Sequence, residues 1–245
     1  MFSTVSIKAN LAKDHENFYQ NILGMTPTEH GWRFDNPGAS LSFTDIGQTY
    51  QPKAQDLFWK IGITVVNLDL ACQWLQQQGY FVTQPAQFRD IGYLAHLSDP
   101  NGMTIELLQT TFSGSTPPTE LSHPIASGAT VAHISVRCHD KQQMLSWCQQ
   151  QGLILKSIQP VTDYGFTLYF FSWIDESLPN ADLTAVENRE WLWQRPYTLL
   201  EFQLIETEQP FVVPQEDEAG LFEITSQNGL IINSQSLHNA GLASK

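Results

Sequence analysis

Apolar and polar side chains alternate along a series of short runs in this chain, and several runs lead into a helical stripe that stops at glycine. From Thr4 to Ala9, Val5, Ile7 and Ala9 share one side while Thr4, Ser6 and Lys8 share the other, the pattern of a half-buried strand. The same alternation sets Leu41 and Phe43 against Ser40, Ser42 and Thr44, and Ile61, Ile63 and Val65 against Lys60, Gly62 and Thr64. It sets Ile105 and Leu107 against Thr104, Glu106 and Leu108, and Ile134 and Val136 against His133, Ser135 and Arg137. Near the end, Leu200, Phe202 and Leu204 oppose Leu199, Glu201 and Gln203. Between these runs, helices are predicted over Asn10–Leu23 (burying Leu11, Phe18, Ile22 and Leu23), from an Asn67 N-cap to Gln78, and over Asp140–Gln151.

The second and third helices repeat almost letter for letter: Trp74-Leu-Gln-Gln-Gln-Gly79 returns as Trp147-Cys-Gln-Gln-Gln-Gly152, with a weaker echo at Phe18-Tyr-Gln-Asn-Ile-Leu-Gly24. A unit of strand, helix and further strands therefore recurs along the chain. Additional strands are predicted at Tyr80–Thr83, Ile91–Leu97, Leu153–Ile158 and Phe166–Trp173, and Asp99-Pro-Asn-Gly102 is a turn before the strand Met103–Gln109. Residues 113–127 are rich in Ser, Thr and Pro and read as a linker between a two-unit domain at 1–112 and a third unit at 128–245. The aromatic insertion between Ile174 and Pro196 is either a lid or a packed loop. The acidic tail holds two weak strands, Leu221–Thr225 and Leu230–Asn233, and no amphipathic helix, so it is not read as a full fourth unit.

Composition narrows the partners. A net charge of −13 argues against nucleic acid and anionic membrane surfaces. Three cysteines (Cys72, Cys138 and Cys148) have no metal-type spacing and read as small buried hydrophobes, which suits a reducing compartment. No basic leader precedes an apolar stretch at the start, and no apolar run approaches about 18 residues. The expected location is cytoplasmic, with no membrane span.

The residues that carry these units resemble a known family. Phe18-Tyr-Gln-Asn-Ile-Leu-Gly-Met25, Lys60-Ile-Gly-Ile-Thr-Val65 with Ala95–Leu108, and Ala132-His-Ile-Ser-Val136 with Thr198-Leu-Leu-Glu-Phe202 are similar to the vicinal-oxygen-chelate superfamily of glyoxalases, bleomycin resistance proteins and dioxygenases. The resemblance implies an α+β fold of repeated β-α-β-β-β modules, whose curled mixed sheets carry helices on the convex face. It also implies that two modules enclose a pocket, where a divalent ion is held by a first-strand residue and a last-strand carboxylate of each.

Carried over position by position, those places fall on Thr4 and Ser42 in unit one, Lys60 and Glu106 in unit two, and His133 and Glu201 in unit three. Thr4 and Ser42 are poor ligands, and an ammonium at Lys60 repels a cation. The expected pocket of units one and two is therefore lined by Lys60, Glu106, Thr64, Ser42 and Thr104, with Lys60 either paired to Glu106 or reaching solvent. His133 and Glu201 keep metal-ligand chemistry and, on the resemblance, are metal ligands for Zn, Ni, Mn, Fe or Mg, with Glu201 also a catalytic proton carrier. Further ligands would come from the tail (Glu223, His238) or from a homodimer mate. The alternative is a hydrogen-bonded sheet histidine beside an ordinary carboxylate. Three readings stand at this point: a metal-dependent lyase, isomerase or dioxygenase acting on a small molecule, a metal-free small-molecule binder of the bleomycin-resistance kind, and a structural scaffold.

Overall fold

A computed structural model describes residues 1–11, 14–207, 209, 211–215 and 217–243. The chain opens with strand β1 (Phe2–Ala9) and a short π-helix at Asn17–Ile22, then β2 (Thr26–Pro27), β3 (Gly31–Arg33) and β4 (Ser40–Asp45). The second unit is β5 (Phe58–Val65), α1 (Leu68–Gln77), β6 (Ala86–Phe88), β7 (Gly92–Ser98) and β8 (Thr104–Gln109). The third is β9 (Thr130–Cys138), α2 (Lys141–Gln150), β10 (Ile154–Val161), β11 (Phe166–Ser172), α3 (Glu187–Trp193) and β12 (Leu199–Ile205). The tail adds β13 (Gly220–Ser226), β14 (Ile231–Asn233) and α4 (Ser234–Asn239). The α+β class and the mixed, curled sheets agree with the sequence.

The pairing of units does not follow the sequence expectation. Two sheets form, one in the order β14-β13-β1-β4-β3-β2 and the other β10-β11-β12-β9-β5-β8-β7-β6. Unit two joins unit three through antiparallel β5 and β9, with Gly62 opposite His133. Unit one joins the tail through antiparallel β1 and β13, with Ser6 opposite Glu223. The expected pocket between units one and two therefore does not form. Alternation chooses the face of a strand but says nothing of its lateral neighbour, and each sheet here uses strands from both sides of the 113–127 segment.

Local chemistry accounts for the helices. Asn67 accepts a hydrogen bond from Leu70 N at 3.1 Å, and Asp140 accepts from Gln142 N and Gln143 N at 2.9 Å each, so both N-caps are made by side chains. Gly79 and Gly152 then take positive φ (84° and 70°) and end the two repeats. The first helix is shorter and wider than predicted: Leu23 N donates to Phe18 O at 2.8 Å, five residues back. Leu11 is exposed instead of buried, and the part of the predicted helix at 12–13 lies outside the described residues. Tyr80–Thr83 contributes only an isolated bridge, Val82 to Leu97. The tail does contain a short helix, α4, started by reciprocal hydrogen bonds between Asn233 and Ser236 and anchored by buried Leu237.

A large apolar cluster underlies both sheets, and a second forms around Ile91, Leu108, Phe170 and Trp193 on the concave side of the larger one. Cys72, Cys138 and Cys148 are free and buried, and burial pushes the thiols of Cys72 and Cys138 up to about 12. Among the described residues no helix is long and apolar enough to cross a membrane.

Candidate functional site

The four adjacent strands β12, β9, β5 and β8 bring Glu201, His133, Lys60 and Glu106 together on one face of the larger sheet. Register explains the meeting. Gly62 of β5 lies beside Glu106 on parallel β8 and opposite His133 on antiparallel β9. Glu201 of β12 lies beside Ser135, two residues along β9 from His133. Gly62 is glycine for a steric reason: a Cβ there would sit 2.0 Å from Cε1 of the His133 ring. The imidazole thus lies across β5 in space that any other residue would fill.

Polar contacts tie the group together. Lys60 Nζ donates to Glu106 Oε2 at 2.5 Å, and the ammonium also rests 4.3 Å from the centroid of the Trp59 ring. His96, from β7, places Nε2 3.1 Å from the same carboxylate oxygen. His133 Nε2 lies 3.3 Å from Glu106 Oε1 and 3.4 Å from Glu201 Oε2. Ser135 Oγ donates to Glu201 Oε1 at 2.8 Å. His133 is 0% exposed, yet neither ring nitrogen makes an aligned hydrogen bond, so its two contacts to carboxylates are close but off-axis.

Burial pushes the Glu106 carboxyl upward, but Lys60, His133 and His96 outweigh it and hold the group well below the usual carboxylate range. For Lys60, burial disfavours the charged form. The carboxylates of Glu106 and Glu201 overcome that and raise its pKa above 10.5. Lys60 is therefore an ammonium at neutral pH, and Glu106 its carboxylate partner.

Above this polar floor lies a cavity of about 250 Å³ walled largely by apolar and aromatic residues, among them Trp59, Leu94, Phe166 and Phe170. The insertion forms one wall, since α3 carries Trp193 against Phe170 with ring centroids 5.2 Å apart. Trp193 Nε1 donates to Ile91 O at 2.8 Å, and Arg189 Nη1 donates to Asp90 O at 2.8 Å, which docks α3 from unit three onto the β6–β7 turn of unit two. At the rim, Arg89 donates to Asp163 at 2.7 Å beside Tyr164, whose ring meets Phe88 edge to face. Two units thus close over a single hollow.

The remaining sequence candidates fall elsewhere. Ser42 belongs to the smaller sheet, because unit one pairs with the tail. Thr64 and Thr104 share the concave face with Lys60 and Glu106 but do not line the cavity; they are paired with Thr130 and Ser98. Glu223 sits on β13, where Asn233 donates to it, and His238 is on α4, so neither reaches His133. Within the chain, His133 meets Glu106 and Glu201, and Lys60 meets Glu106, in place of the tail residues. Sequence reasoning passed over His96, Ser135 and Gly62. The signal for His96 was present: the Asp99–Gly102 turn fixes Ser98 opposite Thr104, which puts His96 opposite Glu106.

A divalent ion does not fit this arrangement while Lys60 keeps its charge. Among the described residues no group of three or more His, Cys, Asp or Glu is arranged to hold one. One imidazole and two carboxylates are suitable donors, but the fourth member is an ammonium. At an effective dielectric near 20, a divalent ion about 4 Å from that ammonium would be repelled by roughly 8 kcal/mol.

Comparison with known proteins gives a consistent fold. Residues 12–107 match the sequence model of the Glyoxalase/Bleomycin resistance protein/Dioxygenase superfamily. Glyoxalase I from Zea mays superposes with a TM-score of 0.60 at 14% identity, covering 91% of this chain and 73% of that one. A mutant form of the same maize enzyme gives 0.61 at 13% identity, covering 91% and 74%. TnmS3, an antibiotic binding protein from Streptomyces sp., matches 44% of this chain and 94% of its own at 21% identity, with a TM-score of 0.33. No curated protein is similar enough in sequence to match.

Proposed function

We propose, from the match of residues 12–107 to the Glyoxalase/Bleomycin resistance protein/Dioxygenase superfamily, that this chain binds a small aromatic molecule in the hollow between its second and third units, and does so without a divalent ion. The observation that carries the reading is the cavity itself, largely aromatic walls over a charged floor. Such a mixture of apolar lining and a few converging polar groups is the usual anatomy of a small-molecule site.

The polar groups divide the work. Lys60 has three N–H donors and gives one to Glu106, so an acceptor oxygen on the ligand can take another. Glu201 offers a carboxylate to a donor group beside that oxygen. Trp59, Phe170 and Trp193 hold the flat part of the ligand by dispersion and edge contacts. In this reading Glu201 is a binding group; a proton-transfer role for it would be an addition to the same pose. A metal-dependent lyase or dioxygenase is the second reading, favoured by the convergence of His133 with two carboxylates and opposed by the charge of Lys60.

The test is fluorescence titration with neutral aminoanthracene, reading quenching of the emission of the seven tryptophans, of which Trp59 and Trp193 line the cavity. Saturable binding by the native protein, lost in Leu94→Trp, is the expected result, since that side chain lines the cavity and the larger one fills it. Equal binding by a folded Leu94→Trp protein would sink the assignment.

A further inference from the structure

The geometry points to Arg89 and Asp163 as an ionic latch across the mouth of the hollow, setting how fast a small molecule enters and leaves it. The two residues stand at the tips of equivalent hairpins, Arg89 in the β6–β7 turn of unit two and Asp163 in the β10–β11 turn of unit three. Arg89 Nη2 donates to Asp163 Oδ2 at 2.7 Å, and its guanidinium carbon lies 5.4 Å from the centroid of the Tyr164 ring. Next to this pair, Phe88 and Tyr164 meet edge to face with centroids 5.5 Å apart. Both rings line the cavity, and Tyr164 is 62% exposed, so they stand between its interior and solvent.

The two sides of the latch differ in how they are held. The β6–β7 turn is fixed to α3 through Arg189 and Trp193, which donate to Asp90 O and Ile91 O at 2.8 Å each. The β10–β11 turn has no such brace. Residues 162–165 are all exposed, and Gly165 takes a φ of 73°. Among the described residues, the hydrogen bonds and ring contacts of this turn to unit two are those to Arg89 and Phe88. It is therefore the side that swings. Arg89 itself is the only described non-glycine residue with positive φ (50°). Strained backbone of this kind persists where its surroundings hold it, and it gathers at ligand clamps. The hold here comes from the ion pair, the Tyr164 ring and the Gln87 amide, which donates to Arg89 O at 2.8 Å. An exposed ion pair is weak enough to open on its own, and salt screens it.

The latch rests on the small-molecule reading, since it governs access to the same hollow, yet its first experiment needs no bound ligand. Leu168 lines the cavity, and Leu168→Cys places a thiol inside. Labelling by N-ethylmaleimide, a neutral reagent, is followed by mass spectrometry, with buried Cys72, Cys138 and Cys148 as internal reporters of general loosening. Arg89→Asn removes the charge and keeps a residue that tolerates positive φ. It is expected to speed labelling of the introduced thiol about two- to five-fold, with the native cysteines and the melting temperature unmoved. Raising sodium chloride from about 0.02 to about 0.5 M should speed labelling with Arg89 in place and have no effect after Arg89→Asn. Exchanging the charges, Arg89→Asp with Asp163→Arg, should restore the slow rate. Equal labelling with and without Arg89, an introduced thiol silent in every background, or a rise matched by the native cysteines would each overturn the latch. Should Leu168→Cys not fold, Leu94→Cys is read in its place by the same criteria. In stopped flow, Arg89→Asn should also speed aminoanthracene entry and release alike. Absence of aminoanthracene binding would count against the small-molecule reading, and the labelling alone would then decide the latch.

Discussion

At Lys60, burial alone would expel the proton, and only Glu106 and Glu201 keep the ammonium charged. The sign of the pH dependence follows. Lys60 has a folded pKa above its ordinary 10.5, so its stabilisation is complete below 10.5 and is lost as pH rises through the folded value. Glu106 has a folded pKa well below 4.5, so its stabilisation is complete above 4.5 and is lost as pH falls through the folded value. The pair should thus contribute a plateau between those limits. Glu106→Gln at pH 7 strands a buried ammonium and is expected to cost about 3–5 kcal/mol by urea unfolding; a cost below about 1 kcal/mol would mean that the lysine finds solvent. The double change Lys60→Met with Glu106→Leu should recover most of that loss. A separate acid effect belongs to His15, buried among Tyr19, Trp32 and Phe43. Burial lowers its pKa from 6.5 to about 4, against a small opposing pull from Asp45. The unfolded chain then binds the proton first, so stability declines as pH falls from 6.5 towards 4, and His15→Phe should flatten that limb in urea midpoints measured at pH 7 and 5. Period-two alternation made Lys60, Glu106, His133 and Glu201 legible as inward-facing residues. It could not reveal Gly62, whose importance lies in the space it leaves for a ring on another strand.

α3 is the element that turns an open curved sheet into a walled hollow. Its Trp193 is 2% exposed and carries a hydrogen bond to the neighbouring unit, so Trp193→Ala is expected to cost about 3–5 kcal/mol and to weaken aminoanthracene binding together. Loss of stability with unchanged probe affinity would separate the helix from the site. The repeated helices allow a finer comparison. Asp140→Ala removes an N-cap alone and should cost about 1 kcal/mol. Asn67→Ala should cost more, because Asn67 Nδ2 also donates to Pro118 O at 3.1 Å and ties down the connecting segment. Thermal melts of the two variants side by side decide it. These caps, and the strands they follow, were readable because each depends on neighbours in sequence. The π-helix at Asn17–Ile22 and the helical turn of α3 were not, since both are shaped by packing against distant rings.

The smaller sheet joins the two ends of the chain and the larger joins strands from both sides of residues 113–127, so the molecule's connectivity is mostly long-range. Nothing in an alternating run tells β5 to take β9 on its free side, or β1 to take β13; the partners are selected by which exposed edges can be covered at once. Removing residues 220–243 should therefore do more than trim a tail. It bares β1 along its length, and the shortened chain is expected to associate or lose cooperative unfolding, as size-exclusion chromatography and melting would report. A monomer with the native transition would show that β13 is dispensable. The pairing of Val5 with Ile224 also has a kinetic side. On the ribosome, the first strand emerges long before its mate is made, and must wait through more than two hundred further peptide bonds with one flank unclaimed. Contacts so remote in sequence form slowly. Translation speed and chaperone access, more than equilibrium stability, should then govern how much of this protein a cell recovers in native form.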